Sequence, residues 1–355
     1  MTSFFNPTCK MKRIIPGRYD LIIFLFSLAI ISGPAYTVMD EFSYEGCNDC
    51  QSYLSIARGD IDKSPVRRYR VIIPLAAGSI DRVAGSFIER FRPWSTTEDF
   101  SLSISFLLIN SLLMSLYSVL VYRLTLFYVT TPFAAIISLL SLLTCRWTSF
   151  FAGLPLVDSL YLVVTAMVLL GIKGKHNGLM VAAIFIGPWA KEAFIFLAPL
   201  IFFFSGIRRS RQVIYFVLSG ILVFGFRFFY DQSAGNSFTE SLLADTYHFS
   251  YIAVSAGRLF SFHGLYEILS VTGIWVLLFI PFFRRKEIRL SVTESIESYI
   301  WWYIPIVLLH LFLSTEIARM FYLILPVLVI MYAIIIDNMG IIQKISAVLP
   351  NRDTR

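Results

Sequence analysis

Nine apolar runs, at residues 21–39, 102–122, 131–145, 157–172, 178–206, 212–229, 266–283, 299–315 and 318–336, leave this chain few ways to fold. Roughly 20 apolar residues carry a helix across a bilayer core. In lipid the backbone must satisfy its own hydrogen bonds, which a helix does without help. With 57% hydrophobic and only 15% charged residues, the chain lacks the polar material to solvate a water-soluble surface. The expected fold class is therefore all-α, a polytopic integral membrane protein forming one membrane-embedded domain over 1–355. The run 178–206 is too long for one upright span and is interrupted at Gly187 and Pro188, so it reads as two short helices folded into a hairpin. The expected total is then about ten transmembrane helices.

Net charge is +7, but the basic residues stand in short clusters between apolar runs, where they report orientation and argue against nucleic-acid binding. Lys10, Lys12, Arg13 and Arg18 precede the first run. Arg123, the pair Lys173 and Lys175, the group Arg208, Arg209 and Arg211, and the group Arg284, Arg285, Lys286 and Arg289 occupy later turns, with Arg352 and Arg355 in the tail. All of them face the cytoplasm together if residues 40–101 form a large first extracytoplasmic loop with interfacial helices, Val71–Phe87 lying along the surface. A topology in which Val71–Phe87 crosses and 178–206 is one tilted helix places Arg123 outside and separates Lys173 and Lys175 from Arg208–Arg211. The charge rule favours the first arrangement. The first run continues to Met39 and so reads as an uncleaved anchor rather than a secretory leader.

In that topology five charged groups open on one side of the membrane: Asp40, Glu41 and Asp49; Arg67, Arg68 and Arg70; Asp158; Lys191 and Glu192; Glu316 and Arg319. Ionisable side chains at membrane depth are costly unless they line a polar cavity or pair, so several on one side suggest a site. Residues 231–265 form a second external loop, whose Tyr230, Tyr247, Tyr251, Phe260 and Phe262 suit either sugar stacking or an aromatic belt at the interface. Cys47 and Cys50 leave three states open: a disulfide that stiffens the turn bearing Asp49, free thiols, or a metal site short of ligands. His176, His248, His263 and His310 have no ligand-like partner at helical spacing and read as polar anchors.

The stretch from Asp49 through Tyr53 to Gly59, followed by Tyr69-Arg70-Val71-Ile72-Ile73-Pro74, resembles the first external loop of bacterial GT-C glycosyltransferases. Lys191 and Glu192 after a helix break, and Glu316-x-x-Arg319 leading to Pro326, resemble patterns in later spans of that superfamily. The resemblance implies transfer of a sugar from a polyprenyl-phosphate donor to a glycan or lipid acceptor of the cell envelope. It implies a multi-pass protein of the inner (plasma) membrane, in contact with membrane lipids, whose active side is extracytoplasmic. Asp49 matches the acidic position of an Asp-x-x-x-Tyr pattern completed by Tyr53, while Asp40 and Glu41, directly after the first span, compete for the role of general base. Arg70, Lys191 and Arg319 are the candidate phosphate contacts.

Each of these residues also has a structural reading. Arg70 suits an interfacial anchor, Lys191 and Glu192 could neutralise each other, Glu316 stands one turn from Arg319, and the three acids could solvate a loop. Asp158 has no cation near it in sequence and is expected to hold a cation or orient an acceptor. No metal ligand set is assigned, and a divalent cation remains compatible with the carboxylates. Two other function classes share these features, a polysaccharide polymerase of the O-antigen type and a flippase or transporter of lipid-linked sugars. The latter commonly has paired halves with matching helix breaks, of which one is visible here.

Overall fold

The computed structural model describes residues 18–60, 67–95, 97, 99–233, 235 and 247–339. The early basic residues Lys10, Lys12 and Arg13, Cys9, the tail Arg352 and Arg355, and residues 236–246 of the second loop lie outside them. Among the described residues the regular structure is entirely helical. In chain order the first ten α-helices are α1 (Arg18–Glu41), α2 (Asn48–Ala57), α3 (Ile72–Ile88), α4 (Phe100–Thr125), α5 (Pro132–Leu143), α6 (Arg146–Gly153), α7 (Asp158–Gly174), α8 (Asn177–Ala190), α9 (Ala198–Phe204) and α10 (Arg209–Ser233).

Among the described residues five helices are long and apolar enough to cross a membrane: Tyr19–Glu41, Phe100–Thr125, Arg209–Ser233, Phe262–Arg284 and Ile317–Asn338. Two bent pairs, α5 with α6 at 64° and Lys286–Ser295 with Ser298–Phe312 at 88°, raise the number to seven if each pair is one span. Helix length thus supports five to seven crossings where the apolar runs suggested about ten, because several runs are divided into pieces too short to reach across alone. Within the 40–101 loop stand α2 and α3, which pack on each other and on the start of α4.

The 178–206 run is divided as expected, but at a different residue. Gly187 and Pro188 lie inside α8, and the helix ends at Lys191, whose backbone is extended. Proline interrupts a helix by withholding one N–H, which frees the carbonyl four residues earlier. Here that carbonyl belongs to Ile184, and the Ser219 hydroxyl of α10 donates to it at 2.8 Å. The lost bond is replaced from outside, so α8 continues to Ala190. The chain then returns through a 3₁₀ turn, Glu192–Leu197, and α9. Gly187 leaves room for the returning Phe194 ring, and Gly206 comes back to within reach of the Asn177 side chain at the base of α8. The two arms measure about 21 and 22 Å, short of the roughly 30 Å of a bilayer core.

Charge is segregated to the two ends of this helical body. At one end Asp20 pairs with Arg123, Lys173 with Glu297, and the hydroxyls of Thr130 and Thr131 donate to Asp337. At the other end stand α2, the start of α7, the tip of the α8 hairpin, the end of α10 and the turn before Ile317–Phe321. Asn110 of α4 fixes the start of α7: its amide donates at 3.0 Å to the carbonyls of both Leu154 and Leu156, which flank Pro155, and it accepts from Ser159. Buried carbonyls in a proline turn would otherwise lack partners.

Gly78 of α3 lies directly on the Ala57 carbonyl at the end of α2, so a Cβ there overlaps backbone that cannot turn aside. Gly78→Ala is expected to lower stability by about 1–3 kcal/mol, measured as a lower thermal unfolding midpoint of the purified protein in detergent; an unchanged midpoint contradicts this packing.

Candidate functional site

Asp49 lies in the first turn of α2, between Cys47 and Cys50, which are paired as a disulfide with Cα atoms 5.2 Å apart. Of the three states open to these cysteines, the structure has the one that closes a loop around the carboxylate. One Asp49 oxygen accepts from Arg67 Nε, and the other from Arg319 Nη1 at 2.7 Å. Burial alone would raise the Asp49 carboxyl, but Arg319 and then Arg67 overcome it and bring it down to about 2.

Arg319 is the junction of the site. Its Nη1 also donates to Glu316 at 2.6 Å, while Nε at 3.2 Å and Nη2 both donate to one oxygen of Asp158. The other Asp158 oxygen accepts from Lys191 Nζ at 3.1 Å. Beside this cluster Arg70 forms a two-pronged pair with Glu192 and donates from Nη1 to the Tyr53 hydroxyl at 3.0 Å. Burial raises the Tyr53 phenol, so it stays neutral and serves as an acceptor for Arg70.

These groups border a cavity of about 710 Å³. Its wall carries the cations Arg67, Arg70, Lys191, Arg227 and Arg319 against the carboxylates Asp49, Glu192 and Glu316, five against three. The rest is mainly apolar and aromatic, including Phe196, Phe216, Phe224 and Phe249, with His310, Ser314 and Thr315 among its polar members. A cavity that is cationic in one part and greasy in another fits an amphiphile with an anionic head.

Of the sequence-predicted residues, Asp49, Arg70, Lys191, Glu192, Glu316 and Arg319 line this cavity together. Asp158 is not in the cavity wall but stands behind it, paired with Lys191 and Arg319. Tyr53 is also set back and supports Arg70 instead of facing the cavity, which corrects its reading as a substrate contact. Asp40 and Glu41 are not brought to the site: the Asp40 carboxylate accepts from the hydroxyls of Ser95 and Thr97 and ties the end of α1 to the approach of α4, and Glu41 is exposed. Standing directly after the first span does not turn a side chain toward the cavity eight residues further on.

Sequence reasoning missed three contributors. Arg67 was grouped with its neighbours and given no role of its own, yet it holds Asp49. Arg227 of α10 lines the cavity with its guanidinium 4.4 Å from the Tyr69 ring centre, and the Tyr69 hydroxyl donates to Asp231 at 2.6 Å. The signal was present, since Arg227 closes an apolar run four residues before Asp231. His310 is the polar anchor expected of it, its Nδ1 2.8 Å from the Ile306 carbonyl and its Nε2 2.9 Å from the Tyr161 hydroxyl, and it also forms part of the wall. Among the described residues no three His, Cys, Asp or Glu side chains gather as a metal site. Comparison with family models, curated proteins and solved structures returns no match to this chain.

A carboxylate held below its ordinary value stabilises the fold only while it is ionised. Asp49 therefore contributes stability above about pH 4 that is lost as pH falls toward about 2, on the order of 2 kcal/mol. Unfolding measured across that window should fall more steeply for the native protein than for Asp49→Asn; parallel pH profiles contradict the double pairing.

Proposed function

We propose that this chain is a membrane glycosyltransferase of the GT-C kind, moving a sugar from a polyprenyl-phosphate donor to an envelope glycan or lipid acceptor. The observation that carries the reading is the placement of Asp49, a carboxylate on the wall of a cavity whose other charged groups are mainly cations and whose remainder is mainly apolar. The cations suit the phosphate, the aromatic part suits the prenyl chain, and the carboxylate suits an acceptor hydroxyl.

In this reading the chain passes between the two ends about ten times, counting the bent pairs, α7 and the two arms of the α8 hairpin as well as the long helices. The Arg123 and Lys173 end faces the cytoplasm on the charge rule, and the cavity opens on the extracytoplasmic side of the plasma membrane. An oxidising exterior agrees with the Cys47 to Cys50 bridge. The α3 helix, absent from the candidate crossings, lies in the interface.

The reaction follows from the charges. Asp49 takes the proton of the acceptor hydroxyl as its oxygen forms a bond to the anomeric carbon. The bond from that carbon to the donor phosphate oxygen breaks, and the electron pair leaves with the phosphate. Arg319, Lys191 and Arg70 stabilise the charge that grows there, with Asp158 and Glu192 holding them in place. The proton on Asp49 passes to solvent when the products leave.

Asp49→Asn is expected to lower transfer by about 10²–10⁴-fold, the usual contribution of a positioned base, with membrane insertion intact. Asp40→Asn, outside the cavity, should retain transfer. The assay is sugar incorporation from a labelled lipid donor in membranes. Full activity of Asp49→Asn contradicts the assignment, as does movement of a lipid-linked sugar across sealed vesicles with no covalent change.

A further inference from the structure

The ion pairs of the site hold its base in a form unsuited to catalysis. Both Asp49 oxygens are engaged by guanidinium groups, and those groups belong to the cations that face the cavity. A carboxylate paired to two arginines has little appetite for a proton, and each of its oxygens already accepts from a guanidinium group.

We propose that the phosphate of the lipid donor competes with Asp49 for Arg67 and Arg319, so that donor binding releases the base and the acceptor can be deprotonated only after the donor is in place. This rests on the glycosyltransferase reading and adds a binding order to it.

The distribution of contacts around Arg319 makes the exchange feasible. Its Nε and Nη2 are turned toward Asp158, whose side chain is only 7% exposed, and that pairing fixes the guanidinium from behind. Nη1 faces the other way, toward Asp49 and Glu316, whose side chains are 19% and 54% exposed. An anion entering from the cavity therefore meets the replaceable partners first, and Arg319 need not move to change them. Arg67 approaches from the opposite side of Asp49 through Nε, and its side chain is 29% exposed. A phosphate has more acceptor oxygens than a carboxylate and can span two guanidinium groups. The second partner of Asp49, Arg67, itself faces the cavity, whereas Asp158 and its second partner Lys191 are more deeply buried, so Asp49 is the carboxylate that yields.

Such an order has a chemical benefit. Until the phosphate arrives the enzyme has no active base, so neither water nor acceptor is deprotonated beside an empty donor site. Once it arrives, the same arginines that restrained Asp49 are spent on the leaving group, and the released carboxylate stays next to the anomeric carbon.

The test reads release directly. The full-length protein in detergent is treated with a water-soluble carbodiimide and an amine, and modification of each carboxylate is followed by mass spectrometry. The additions are farnesyl phosphate, a short mimic of the lipid leaving group, and farnesol, its uncharged counterpart. Farnesyl phosphate should increase modification of Asp49 several-fold and leave Asp158 unchanged, while farnesol should do neither. In parallel, Asp49→Asn should bind farnesyl phosphate about tenfold more tightly, equivalent to about 1.4 kcal/mol of removed competition. Glu45→Gln, which removes one exposed charge of the same loop away from the cavity wall, should shift affinity less than twofold. Binding of farnesyl phosphate with Asp49 modification unchanged or reduced, or with no gain in Asp49→Asn over Glu45→Gln, overturns the competition and leaves the proposed activity standing. No binding of farnesyl phosphate at all removes the phosphate site beneath both.

Discussion

The site depends on the guanidinium of Arg319, which meets Asp49, Asp158 and Glu316 at once. These residues come from three separate parts of the chain, and an unpaired charge in such surroundings costs several kcal/mol. Each partner therefore restricts the placement of the element that carries it. The start of α7, the tip of the α8 hairpin through Lys191, the disulfide-closed turn of α2 and the turn before Ile317 are drawn to one end of the bundle because their charges are satisfied only by each other.

The same principle, that no polar group can be left unmet in an apolar setting, operates on the backbone. Pro188 frees the Ile184 carbonyl and Ser219 answers it, which joins α8 to α10 along one wall of the cavity. Pro155 disrupts the approach to α7, and Asn110 gathers the buried carbonyls on either side of it, fixing the residues that lead into Asp158. Local breaks in the helices are thus converted into contacts between helices, and those contacts aim the charged side chains. The close approaches at Gly78 and Gly153, each against a carbonyl of the neighbouring helix, serve the same end by letting α3 and α6 press on α2 and α1.

Much of this was legible in the sequence, and what was not has definite causes. Apolar runs and the scarcity of charge identify an all-helical membrane protein, and the residues at Asp49, Arg70, Lys191, Glu192, Glu316 and Arg319 were picked out because charge beside an apolar run needs a reason. Helix lengths were less legible, since an apolar run does not say where the backbone bends; the division of 131–153 into α5 and α6 at 64° has no strong breaker at the bend itself. Proline misled at 188, where a hydroxyl from a distant helix restores the lost bond. Asp40 and Glu41 compete with Asp49 by their place after the first span, but which way a side chain faces is set by packing, and Ser95 and Thr97 claim Asp40. Arg67 and Arg227 could not be assigned from spacing, because their partners, Asp49 and Tyr69, lie on other elements.

In the proposed function these dispersed charges open into one cavity on the outer side of the membrane. Single cysteines at Glu45 and Thr315, in the Asp49 loop and on the cavity wall, and at Lys175 and Arg209, at the other end of the bundle, test it with a membrane-impermeant maleimide. In intact cells Glu45→Cys and Thr315→Cys should react, while Lys175→Cys and Arg209→Cys should react only after permeabilisation. Reaction of the Glu45 and Thr315 positions from opposite sides of the membrane would contradict the shared cavity and everything derived from it.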